Sequence, residues 1–210
     1  MQRDGATATR KRRSDGERSR AAILREAAKL ATVEGIDGLS IARLADAVGM
    51  SKSGLFAHFG SKEELQLATI ETAGQVFNEY VIAPALRAPT GIERLRALAE
   101  GFLRHVEDDV FPGGCFFASV AAELDTRPGP VRDRAISVVA DWTELLEATV
   151  RDAQREGAID PAEDAGQLAF ELDAFLLLGN AHFVVSREPD ALERARRALD
   201  RRLEAATPHA

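Results

Sequence analysis

A glycine set between two short, capped helical patterns constrains this chain more than any other feature. Residues 40–65 read SIARLADAVGMSKSGLFAHFGSKEEL. Ser40 is suited to cap a helix over about residues 41–48, with Leu44, Ala45 and Val48 on one face. Gly49 follows and supplies the left-handed backbone that a sharp helix exit requires. Ser51 then caps a second helix, over about residues 52–58, anchored inward by Leu55 and Phe59. Ala45, four residues before the glycine, is small where two steeply crossing backbones must approach. This is the layout of a helix-turn-helix.

The second helix points to DNA. Its outward residues are Lys52, Ser53, Gly54, Phe56, Ala57 and His58, and no carboxylate lies between Asp46 and Glu63. A helix entering the major groove must be slim enough to approach base edges and must not repel phosphate. Ser61 caps a third helix, and Glu64 completes a Ser-x-x-Glu capping box. Lys62 then projects from a helix N-terminus toward a backbone phosphate. The competing reading, ordinary surface on a small bundle, leaves the coincidence of these three features unexplained.

The run GIDGLSIARLADAVGMSKSGLFAHFGSKEEL resembles the signature of TetR-family transcriptional regulators, from near Arg18 to about Leu67. The resemblance implies a small N-terminal DNA-binding domain and a larger helical ligand-binding and dimerisation domain. It further implies repression relieved by a small molecule. Three positions depart from the family pattern. Phe56 stands where tyrosine is commonest, Gly54 where serine or threonine is usual, and Ala57 where a larger side chain often touches bases. Gly54 also weakens its helix by up to about 1 kcal/mol.

Charge is distributed to match. The chain of 210 residues has a net charge of −7, which by itself argues against nucleic acid. Residues 1–65 nevertheless carry 12 Lys+Arg against 9 Asp+Glu, and residues 66–210 carry 15 against 25. A basic module on an acidic body is expected if one end meets DNA. The single cysteine rules out an internal disulfide and fits a reducing cytoplasm. No window reads as a membrane span or a signal peptide, so a soluble, cytoplasmic protein with no membrane partner is expected.

Along the rest of the chain everything reads as helix, about nine in all, giving an all-α fold. Residues 1–16 carry few apolar groups and are expected to be a disordered tail, with Arg10, Lys11, Arg12 and Arg13 as a basic run. A helix-turn-helix domain over 17–65 precedes an effector-binding and dimerisation domain over 66–206. The helix from Ser61 should run to just before Pro84 and join the two. Thr90 and Glu93 form a capping box, Pro112-Gly113-Gly114 breaks the chain, and Asp160-Pro161 with Glu163 restarts a helix.

In AFELDAFLLLGNAHFVV the apolar residues run nearly round the helix, which must therefore be covered on most sides. It can be buried within its own domain or against a second copy; similarity to the family favours the second, with Leu168, Leu172, Phe175, Leu176, Gly179, Phe183, Leu192 and Leu199 of the last two helices in a homodimer interface. His182 reads as a hydrogen-bonded core or interface group. A two-fold dimer predicts a palindromic operator on double-stranded DNA, because one short helix reads only a few base pairs.

Candidate residues for an apolar or aromatic effector are Phe102, His105, Cys115, Phe116, Phe117, Trp142, Phe170 and Phe175. Cys115 has no basic sequence neighbour to activate it and reads as a small buried hydrophobe. His105 and Asp109 share a helical face, but two ligands do not make a metal site. No cofactor is implied. The alternatives are a helix-turn-helix regulator without an effector and a small α-helical enzyme using Cys115 with His105, for which no orienting third group is visible.

Overall fold

Three serine caps fix the N-terminal third. In the computed structural model, which describes residues 4–124 and 128–208 with side chains from Gly16 onward, α1 spans Asp4–Glu34. Then follow α2 (Ile41–Val48), α3 (Lys52–Phe59) and α4, which begins at Lys62. Ser40, Ser51 and Ser61 accept from the amides of Arg43, Gly54 and Glu64 at 3.2, 3.1 and 3.1 Å. Gly49 takes φ 66°, and the Met50 amide folds back onto the Ala45 carbonyl at 3.0 Å. The Ser61 box is only half made: the Ser61 amide donates to Phe59 O at 2.7 Å, so the Glu64 carboxylate lies against Gly60 instead.

Ile23, Leu24, Ala27, Leu39, Leu44, Ala45, Leu55, Phe59 and Leu65 form the core of this small bundle. The opposite edge of α1 belongs elsewhere. Ala28, Ala31 and Ile36 join the larger core of the C-terminal body, so α1 and the loop after it serve both domains rather than the first alone. The helix starts at Asp4, so most of the expected disordered tail continues α1. Adding turns to an already packed helix is cheap once nucleation is done. Residues 1–3 lie outside the described residues, as do the side chains of Arg10 to Arg13.

α4 carries the chain between the domains. Its α-helical part, Lys62–Phe77, continues through a π-helical turn at Asn78–Ile82 and an α-turn at Ala83–Ala85. The expected stop before Pro84 is therefore corrected. The Ala83 amide donates to Asn78 O, five residues back, and this widened turn lets the helix accommodate a residue with no N–H.

α5 (Gly91–Glu107) opens on the predicted Thr90–Glu93 capping box. α6 (Phe116–Leu124), α7 (Pro130–Arg155), α8 (Ala165–Ser186) and α9 (Asp190–Ala205) complete the nine helices of the described residues, among which there is no strand. α8 starts later than expected. Asp160 makes a turn by accepting from Ala162 N at 2.8 Å, and Asp164 is the true cap, accepting from Gln167 N at 3.0 Å. With 22 residues, α8 is long and apolar enough to cross a membrane, contrary to the expectation that no window is. It packs instead against α5, α7 and α9 as a core element.

Candidate nucleic-acid interface and effector cavity

The α3 face is built as a platform. Leu55 and Phe59 are buried beneath it, and the Arg20 guanidinium lies 5.0 Å over the Phe59 ring. Lys52, Ser53, Phe56 and Ala57 are exposed, while Gly54 and His58 are half-buried. Phe56 is 55% exposed, an aromatic ring held in solvent on a helix only eight residues long. Ser40 is half-buried with its Oγ accepting from Arg43, which leaves its hydroxyl proton to donate. Lys62 is exposed but occupied: its ammonium donates to Asp37 O at 2.6 Å, so only its other protons face outward. That contact, 25 residues away in sequence, left no trace in the local pattern.

The loop after α1 is held from the other side as well. Gln66 Nε2, buried on α4, donates to Ile36 O at 2.7 Å. The Glu123 carboxylate on α6 accepts from the Ile36 and Asp37 amides at 2.7 and 2.9 Å. Gly35, at φ 80°, permits this approach, because a Cβ there would lie 2.8 Å from Glu123 Oε2. The Gly113 amide donates to Thr32 Oγ1 on α1 at 3.1 Å. Sequence reading missed Glu123, Gln66 and Thr32, since each acts across a long chain separation.

Gly113 and α6 are also walls of a cavity of about 810 Å³ in the C-terminal body. α4 contributes Glu71, Phe77, Asn78 and Ile82, the last two from its π-helical turn. Phe102 comes from α5, Cys115 and Phe117 from the α5–α6 connection and α6. Arg134, Asp141 and Trp142 come from α7, and Asp173, Leu177, Asn180, Ala181 and Val185 from α8. Phe77 and Trp142 meet edge to face at 5.2 Å, and Phe102 stacks on Trp142 at 6.2 Å.

Two polar features border this aromatic shell, the first of them exposed to solvent. Glu71 and Arg134 form a bidentate pair, with Nη2 to Oε2 at 3.0 Å, and hydrogen bonding from Arg134 holds the Glu71 carboxyl below its usual range. Asp173 accepts from Trp142 Nε1 at 2.8 Å, and burial pushes its carboxyl above the usual range against that one bond. A carboxylate inside a largely apolar helix was the available signal for Asp173, shared with Glu171, which pairs with Arg202.

Of the expected pocket residues, Phe102, Cys115, Phe117 and Trp142 line the cavity. Four do not. Phe170 is 66% exposed on the outer face of α8. Phe116 is buried in the core, and Phe175 packs half-buried against it. His105 is buried among Phe77, Tyr80 and Phe111, with ring centroids at 5.7, 6.1 and 5.5 Å. Neither of its ring nitrogens has a hydrogen-bond partner, and desolvation lowers its pKa to about 4. Cys115, fully buried, has its thiol raised by desolvation to about 11. The imagined pair of His105 with Cys115 is thus neither a ready base nor a ready nucleophile. Asp109 turns away to pair with Arg187 at 3.0 Å, and no cluster of three metal-binding side chains exists among the described residues.

The expected interface residues face inward in the single chain. Leu168, Leu172, Leu176, Gly179, Phe183, Leu192 and Leu199 are all buried within the chain's own body. The uncovered apolar face of α8 is Phe170, Ala174, Leu177, Leu178, Ala181 and Val185, with Leu178 59% and Val185 88% exposed. His182 lies on this outer side and is exposed rather than buried.

Comparison with known proteins places this arrangement. Residues 23–69 match the model for bacterial regulatory proteins of the tetR family, and residues 91–199 match the tetracyclin repressor-like C-terminal domain. A TetR transcriptional regulator from Chloroflexus aurantiacus superimposes with a TM-score of 0.85 at 26% identity, covering 94% of this chain and 100% of that one. AibR, solved in complex with isovaleryl coenzyme A and operator DNA, gives 0.69 at 25% identity, covering 91% and 100%. The ketosteroid regulator KstR2 of Mycobacterium tuberculosis gives 0.66 at 17% identity, covering 91% and 96%, a likeness of fold alone. No curated protein matches the sequence.

Proposed function

The chain belongs to the TetR family of DNA-binding transcriptional regulators, and from that premise we propose that it is a homodimeric repressor released by a small molecule in the α4–α8 cavity. The observation that carries this reading is the pairing of a carboxylate-free, exposed α3 with a cavity whose wall, α6, is hydrogen-bonded to the loop entering the DNA-binding bundle.

Lys52, Ser53, Gly54 and Ala57 sit nearest base edges in this reading. Ser40, Phe56, His58 and Lys62 follow the sugar-phosphate backbone. Two copies pair through the outer face of α8 and the adjoining surface of α9, which sets two α3 helices for a palindromic operator. A ligand that alters the cavity walls shifts their spacing through α4 and α6. Such couplings are about 1–3 kcal/mol. The cytoplasm is where such a protein meets its operator.

Selection of duplexes from random DNA by the purified protein tests the reading directly. A palindromic site is expected. Lys52→Ala should change which site is preferred, and Lys62→Ala should weaken all sites alike and lower the salt slope by about one. Recovery of no enriched sequence, or of single half-sites only, refutes it.

A further inference from the structure

We propose that the cavity selects a lipophilic cation, an aromatic or alkyl body bearing a quaternary or protonated amine, with Asp173 as its counter-charge and Trp142 as its aromatic wall. This rests on the reading of the cavity as the effector site and goes beyond it by naming the ligand's charge.

The cavity's charges are left unbalanced. Among the described residues lining the cavity, the carboxylates are Glu71, Asp141 and Asp173, and the one cation is Arg134. Arg134 is already committed to Glu71 through its Nε and Nη2, and its Nη1 donates to Ser137 Oγ at 3.4 Å. Among the described lining residues no unspent positive charge remains to receive a carboxylate, phosphate or thioester-linked nucleotide. Among the described residues Asp173 has a single hydrogen-bond donor, the neutral indole N–H of Trp142 at 2.8 Å. A desolvated carboxylate with one neutral donor is undercompensated, and a cation brought into the cavity supplies what the fold leaves out. The aromatic residues Trp142, Phe77, Phe102 and Phe117 line the cavity, and the face of such a ring attracts a desolvated ammonium, Trp most strongly. A cavity of about 810 Å³ is large enough for a body of that kind. Burying a neutral ligand here would leave Asp173 as costly as before, and an anion would add repulsion.

Trp142 is the only tryptophan in the chain, so its fluorescence reports occupancy directly. The probes are (4-phenylbutyl)trimethylammonium, its uncharged tert-butyl isostere and the matching phenylalkyl carboxylate, each titrated into full-length protein by fluorescence and calorimetry. The expected result is saturable binding of the ammonium at least about tenfold tighter than the isostere, in keeping with a desolvated cation–π contact plus a counter-charge. Asp173→Asn, which keeps an acceptor for Trp142, should abolish that preference while leaving the isostere's affinity unmoved. Asp173→Glu should restore it, and equal melting temperatures establish that both variants fold. Equal or tighter binding of the isostere or carboxylate, an unchanged preference in Asp173→Asn, or no binding of the ammonium overturns the assignment. The wider reading is separated by operator release. If the uncharged or anionic probe binds and frees the selected duplex, the charge assignment fails and the effector reading stands. If cavity occupancy by any probe leaves operator affinity unchanged, the effector reading fails.

Discussion

Glu123→Ala should loosen the joint between the two domains without touching either core. The carboxylate accepts from two backbone amides, Ile36 at 2.7 Å and Asp37 at 2.9 Å, 87 and 86 residues away in sequence. A hydrogen bond to a charged group contributes about 1.5–3 kcal/mol when sheltered. Here the Ile36 bond is partly buried and the Asp37 bond is exposed, so about 1–2 kcal/mol for the pair is the realistic loss. In a chain of this size that lowers Tm by roughly 2–8 °C. The more telling assay is amide exchange resolved at single residues. Ile36 and Asp37 should exchange about 5–30 times faster in the variant, the factor that 1–2 kcal/mol implies. Amides inside α2 and α8, which do not depend on Glu123, should be unchanged. If the Ile36 and Asp37 amides keep their protection, the carboxylate does not clamp the loop, and the route from cavity wall to DNA-binding bundle must lie elsewhere.

Other consequences are as specific. His105 carries a pKa lowered to about 4 by burial against an ordinary value of 6.5, so between those values the unfolded chain binds a proton that the native chain refuses. Stability should therefore be full above about pH 6.5 and fall by about 3 kcal/mol as pH drops toward 4, and His105→Leu should flatten that slope in denaturant titrations. Cys115, fully buried with its thiol pushed up to about 11, should resist iodoacetamide at pH 8 until the chain unfolds; rapid labelling of native protein would revive a sensing role. Leu178→Glu, at an outer α8 position outside the cavity lining, should yield monomers by sedimentation and abolish operator binding while leaving cavity ligands bound.

Local features were legible in the sequence because local physics sets them. Ser40, Gly49, Ser51 and Ser61 act within four residues of themselves, and each does what its type and spacing require. The half-made Ser61 box and the late start of α8 failed for a related reason: a neighbouring carbonyl or turn claimed the groups first. Contacts across the chain were not legible. Nothing near Lys62 announces Asp37, and nothing near Glu123 announces Ile36. The aromatic residues were found as a set, but composition alone does not separate a ring that lines a cavity from one that fills the core. Phe117 and Phe116 are adjacent, and only the first faces the cavity.

α8 shows most clearly what an apolar helix conceals. Its pattern is hydrophobic all round, so the sequence says that every side must be covered and not by what. Three coverings turn out to be needed. Leu168, Leu172, Leu176 and Phe183 are covered by the chain's own body. Asp173 and Asn180 border the cavity, and Phe170, Leu178 and Val185 are left in solvent. An exposed apolar face of this kind is where the proposed dimer would form. Leu177 and Val185 belong to both the cavity lining and the bare face, so whatever fills the cavity presses on the surface where a second copy would sit. In a dimer built on that face, ligand occupancy and the spacing of the two α3 helices cannot be independent. Coupling would then need no long relay, because the ligand and the partner share side chains.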